Sequence, residues 1–243
     1  METIYDSPRI AISRLPGDSG SAVVSFAGVG LALDGLPHEE FVKTLSGSRH
    51  TQFFVIDKLR SWYNDTASEI VEQLTSRIGE FERVFTLGNS MGGFGAIYFG
   101  RHLPRCRAAI AFGPQYSVHP QIVPTEKRWQ NWRSGIKEWT IPHALSGTGH
   151  ALPLHVFYGH PGLDLDQARL FMENRPDDMA LYMIEGAGHK TASFMKSRGC
   201  LTAILDLIFV QNESAANVAR FLHEQKISVL CHQGRRDASH QLC

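Results

Sequence analysis

The chain has 243 residues, 43% of them hydrophobic and 20% charged, a balance that fits a single soluble globular domain and excludes a disordered or fibrous chain. Lysine plus arginine and aspartate plus glutamate number 24 each, which leaves no basic surplus for nucleic acid or an anionic membrane. The opening METIYDSPRIAIS lacks the charged start and apolar core of a signal peptide, the apolar run 201–210 is too short for a membrane span, and Cys106, Cys200, Cys231 and Cys243 have no framework spacing; a cytoplasmic location is expected.

The first strands are predicted over 9–15 and 22–26, separated by the turn signal Pro16-Gly17-Asp18. The second runs into the flexible loop Phe26-Ala27-Gly28-Val29-Gly30. A short helix is expected over 37–45, a strand over 52–56, then a polar loop over 57–65. Ile70, Val71, Leu74 and Ile78 recur at helical spacing before Gly79.

Residues 84–100, VFTLGNSMGGFGAIYFG, read as a strand, a tight turn and a helix. A serine at such a corner is held in a strained conformation that lifts its hydroxyl clear of the sheet. Glycines two before and two after let strand and helix approach closely. Ser90 stands between Gly88 and Gly92 in this way. The turn puts Ser90 at a helix N-terminus, where free N–H groups favour a developing negative charge, so the Met91 N–H is the natural first oxyanion donor.

A strand over 107–112 follows, after which the alternation breaks across 113–149. That insertion holds Trp129, Trp132, Ile136 and Trp139 at spacings of three and four, an aromatic helix face that is either a lid over Ser90 or a helix packed on the flank. The sheet resumes at 154–158, then a loop carries Asp164 and Asp166, a helix runs to Phe171, and a last strand over 179–184 ends in Glu185-Gly186-Ala187-Gly188-His189. Two helices are expected over about 200–210 and 213–224. This predicts an α/β fold, a mostly parallel central sheet with helices on both faces, in one domain over 1–225, with a polar and partly disordered tail over 226–243.

A serine hydroxyl is a weak nucleophile at neutral pH, so Ser90 needs a base and the base needs an orienting acid. His189 follows the last apolar strand in a glycine-flanked loop, where an imidazole can reach the strand ends. Asp164 and Asp166 both sit after the penultimate strand; Asp164 is favoured as the acid because Asp166 suits the start of the following helix.

With GNSMGG at 88–93, the Asp164 loop and GAGH at 186–189, in the order serine, acid, histidine, the chain resembles the α/β-hydrolase superfamily over most of 9–224. The elbow followed by Phe94-Gly95-Ala96 is similar to many small esterases. Where many members carry His-Gly before the second oxyanion donor, this chain has Ala27-Gly28; the resemblance puts Val29 in the donor position, with Ala27 as the alternative.

Other signals are discounted. Gly28-Val29-Gly30 lacks the third glycine of a dinucleotide fingerprint, since position 33 is Leu33. Cys231, His232, His240 and Cys243 match no common zinc spacing, so no metal and no cofactor are expected. The resulting expectation is a serine hydrolase acting on a small-molecule acyl ester or thioester through Ser90, His189 and Asp164. An acyltransferase with the same triad, or a non-catalytic binding protein on the same fold, are the alternatives.

Overall fold

The computed structural model describes residues 1–30 and 38–233. Leu33, the start of the helix expected over 37–45, and His240 and Cys243 of the discounted metal cluster lie outside these residues.

Nine strands form one sheet. In chain order they are β1 (Glu2–Asp6), β2 (Ile10–Leu15), β3 (Ser21–Phe26), β4 (Thr51–Asp57), β5 (Arg83–Asn89), β6 (Cys106–Phe112), β7 (Leu154–His160), β8 (Met179–Glu185) and β9 (Val229–Gln233). Their spatial order is β1-β2-β4-β3-β5-β6-β7-β8-β9. From β4 through β8 all neighbours are parallel, while β1, β2 and β9 run antiparallel at the edges.

The helices between them are α1 (Val42–Leu45), α2 (Ala67–Ile78), α3 (Met91–His102), α4 (Gln130–Arg133), α5 (Leu165–Glu173), α6 (Thr191–Ser197), α7 (Leu201–Phe209) and α8 (Ala215–Glu224). Two apolar cores result, one on each face. Ala22, Val24 and Phe26 of β3 point to the core shared with α2, α3 and α5, and Val23 points to the core shared with α1, α6, α7 and α8. This two-residue alternation, with both sides apolar, is why the central strands read as continuous hydrophobic runs.

Three sequence expectations change. The segment 226–233 is not a free tail: Val229–Gln233 pairs with β8, and Val229 and Ile227 are buried in the second core. β1 is an added edge strand, joined to β2 with a register irregularity between Thr3 and Tyr5. The aromatic face over 129–139 is not one helix. α4 is a single turn, and beyond it the chain is fastened from outside, with Asn64 Oδ1 accepting from the Ile141 N–H at 2.7 Å and the Thr140 hydroxyl donating to the Asn64 carbonyl at 2.6 Å. Trp129 and Ile136 are buried, while Trp132 and Trp139 are half-buried.

Candidate active site

β5 delivers its chain into α3 through Ser90, whose φ of 55° and ψ of −120° lie in a region that L-residues rarely adopt. What permits the bend is the absence of side chains beside it. A Cβ on Gly88 would stand 2.0 Å from the Gly92 carbonyl oxygen, and one on Gly92 would stand 2.0 Å from the Phe26 carbonyl oxygen. The Ser90 N–H donates to the Phe112 carbonyl at 2.8 Å, tying the corner to the end of β6.

His189 comes from the loop after β8, and its Nδ1 lies 2.6 Å from Asp164 Oδ2. Asp164, 2% exposed, stands after β7 at the N-cap position of α5 but makes no cap hydrogen bond with its side chain. Asp166, expected to start that helix as a cap, instead lies in its first turn, and its Oδ2 accepts from the Thr125 hydroxyl at 3.5 Å. The backbone places Asp164 at the cap, but both its oxygens are engaged elsewhere.

The second oxygen is held by Arg128. Its Nη1 donates to Asp164 Oδ1 at 2.8 Å, and its Nη2 donates to Glu126 Oε2 at 2.5 Å. Burial alone would raise the Asp164 carboxyl; hydrogen bonds and positive charge from His189 and Arg128 outweigh it and hold the group below the usual carboxylate range. Glu126 is held low by Arg128 against the same burial penalty. Glu126 and Asp164 set two negative charges against the single positive charge of Arg128, which leaves one negative charge facing the His189 ring.

The loop after β3 sorts its amides. Ala27 N–H donates to the Val55 carbonyl at 2.9 Å and Gly28 N–H to Glu40 Oε1 at 3.1 Å. Val29 N–H and Met91 N–H have no hydrogen-bond partner among the described residues. The Ala27 N–H is thus engaged with the β4 backbone, while the Val29 N–H is not. Glu40 is pushed up to about 7 by burial, only partly countered by the Gly28 N–H.

Ser90, His189, Val29, Glu40, Phe41 and Trp129 line one cavity of ≈ 660 Å³. Trp129 makes the 113–149 segment part of the cavity wall. Ser90 is 7% exposed, and its hydroxyl oxygen accepts from Gln115 Nε2 at 3.2 Å. Gln115 had no sequence signal, nor had the loop that holds it. Asp57 accepts at Oδ1 from Leu59 N–H, and at Oδ2 from the Ser61 N–H, the Ser61 hydroxyl and Tyr63 N–H. These bonds stabilise positive φ at Arg60, Trp62 and Tyr63. Trp62 then bonds Gln115, and the Tyr63 hydroxyl donates to the Ala27 carbonyl at 2.7 Å.

A parallel sheet with antiparallel edges, a strained serine between β5 and α3, and an imidazole–carboxylate pair from the loops after β8 and β7 define the α/β-hydrolase fold. The chain has that fold, which it shares with solved structures of low sequence identity. A family model for the serine aminopeptidases, S33, matches residues 46–155, which include the serine corner. Among solved structures, the capsule O-acetyltransferase of Neisseria meningitidis serogroup A superposes with a TM-score of 0.61 at 16% identity, covering 82% of this chain and 92% of that one. A putative esterase from Staphylococcus aureus gives 0.58 at 13% identity, covering 88% and 83%. The Pyrobaculum calidifontis esterase gives 0.57 at 14%, covering 84% and 82%. No curated protein matches the chain in sequence. Among the described residues no helix is long and apolar enough to cross a membrane, and no cluster of His, Cys, Asp and Glu has metal-binding geometry.

Proposed function

We propose that this protein is a serine hydrolase that cleaves a small carboxylic ester or thioester through an acyl-enzyme on Ser90. The observation that carries the reading is the 2.6 Å contact of His189 Nδ1 with a buried Asp164, His189 lining the same cavity as Ser90. With Nδ1 bound to the carboxylate, Nε2 is the ring nitrogen left for proton transfer.

In this mechanism Ser90 Oγ attacks the acyl carbon and loses its proton to His189. Asp164 steadies the resulting imidazolium. The Met91 and Val29 N–H groups receive the tetrahedral oxyanion, and His189 returns the proton to the leaving oxygen or sulfur. Water, deprotonated by His189, then releases the acyl group. The esterases that share the fold are consistent with this chemistry. A second reading passes the acyl group to an acceptor hydroxyl in place of water, in keeping with the transferase that shares the fold.

A panel of acyl esters and thioesters, assayed with and without added alcohol acceptors, separates the two readings by the partition between acid and transferred product. Labelling by a fluorophosphonate probe is expected on Ser90. Ser90→Ala and His189→Ala are each expected to lose roughly 10⁴-fold in kcat or more. Undiminished turnover in Ser90→Ala would refute the assignment.

A further inference from the structure

The nucleophile's partner in the structure is not the histidine. Gln115 Nε2 donates to Ser90 Oγ at 3.2 Å, and Gln115 Oε1 accepts from the Trp62 indole N–H at 3.0 Å. Indole nitrogen is a donor only, so the Trp62 bond requires the amide oxygen on its own side and turns the NH₂ toward Ser90. Gln115 and Trp62 are both fully buried, which excludes water as an alternative partner for either end.

The backbone around Gln115 is fixed as firmly. Gly113 N–H donates to the Phe157 carbonyl at 2.7 Å, the Tyr158 hydroxyl donates to the Pro114 carbonyl at 2.6 Å, and Tyr116 N–H donates to Gln167 Oε1 at 2.7 Å. Trp62 is set in turn by the Asp57 loop. A side chain braced at both ends, aimed at a single reacting atom, is more than is required to fill space.

We propose that Gln115 is a catalytic residue that donates a hydrogen bond to Ser90 Oγ and speeds breakdown of the acyl-enzyme; the inference rests on the reading of Ser90 as the nucleophile. The argument concerns how well one oxygen accepts in each state. A hydroxyl oxygen accepts well, and an oxygen carrying negative charge accepts better. The alkyl oxygen of an ester, its lone pair drawn into the carbonyl, accepts poorly. Gln115 therefore stabilises free enzyme and transition state while contributing little to the acyl-enzyme between them.

In deacylation a water oxygen bonds to the acyl carbon as His189 takes its proton. The intermediate then collapses: the carbon–Oγ bond breaks, its electron pair goes to Oγ, and His189 delivers the proton there. Gln115 gives up no proton; the hydrogen bond from its N–H to Oγ strengthens as charge gathers there. In acylation the same bond is already made in the free enzyme, so its gain in that step is smaller.

The test uses the whole protein with p-nitrophenyl acetate, reading the burst and steady-state phases by stopped flow and the acetylated protein by intact mass. In Gln115→Met, deacylation is expected to fall roughly tenfold while acylation changes less than about threefold, so acetylated Ser90 accumulates. Gln115→Leu likewise removes the donor toward Ser90 and stays close in volume. It is expected to show the same split, and it serves if Gln115→Met fails to melt cooperatively. Equal slowing of both phases, or no change in either, would overturn the inference and leave Gln115 a packing residue. A wild type that p-nitrophenyl acetate does not acetylate at Ser90 would overturn the nucleophile assignment and this inference with it.

Discussion

Glu40 shows how one side chain can serve geometry at a cost in charge. Its carboxyl holds Gly28 N–H and so sets the direction of the neighbouring Val29 N–H, yet ionised it would stand one residue from a developing oxyanion. Burial lifts it to about 7, so it is largely neutral below that pH. Because its folded value is raised, its contribution to stability is full below the ordinary carboxylate range and is lost as pH rises through about 7. Ionisation adds negative charge beside the proposed hole over that same interval. Glu40→Gln, which keeps a hydrogen-bond acceptor, is expected to retain activity near pH 6 and to lift the alkaline limb of kcat/KM severalfold at pH 8–9. Superimposable pH profiles for the two proteins would count against the role.

The strand–turn–helix made by β5 and α3 is set by close backbone contact. Strand and helix cross where Gly88 faces the Gly92 carbonyl, and α3 lies on β3 where Gly92 faces the Phe26 carbonyl. Both obstacles are backbone atoms, which cannot swing aside as a side chain end can. Gly92→Ala is expected to cost about 3 kcal/mol, at the upper end of overpacking, and to lower Tm by roughly 6–12 °C in a calorimetric melt. The same push acts on the Phe26 carbonyl, immediately before the Ala27-Gly28-Val29 loop, so activity should fall beyond what stability explains.

Arg128 joins parts of the molecule that are distant in sequence, bridging the irregular 113–149 segment to the loop after β7 through Glu126 and Asp164. Both carboxylates are held low, so their contribution to folding is full above the ordinary carboxylate range and is lost as pH falls through their depressed values. Arg128→Met strands the buried Glu126 charge at neutral pH, leaves Asp164 with His189 alone, and is expected to cost about 3–5 kcal/mol there. The Tm gap between the variant and the wild type should narrow as pH drops from 5 to 2.5, since protonation removes the stranded charge. A gap that stays constant with pH would show that Arg128 acts by packing alone.

Local signals carried the serine corner and the parallel sheet, because glycine spacing and strand periodicity are properties of a few neighbouring residues. The single helix expected over 129–139 did not form; the chain just beyond it is tied to Asn64, whose carbonyl accepts from the Thr140 hydroxyl and whose Oδ1 accepts from the Ile141 N–H. Val229–Gln233 joined the sheet because the edge of β8 supplies hydrogen bonds that no local pattern in a polar segment announces. Gln115, Trp62, Glu40 and Arg128 bear on the site only through partners 12 to 53 residues away in the chain. The sequence by itself determined which backbone turns are possible; only the tertiary structure decided which buried donors and charges meet, because an unpaired polar group in a low-dielectric interior is costly and the whole fold must supply its partner.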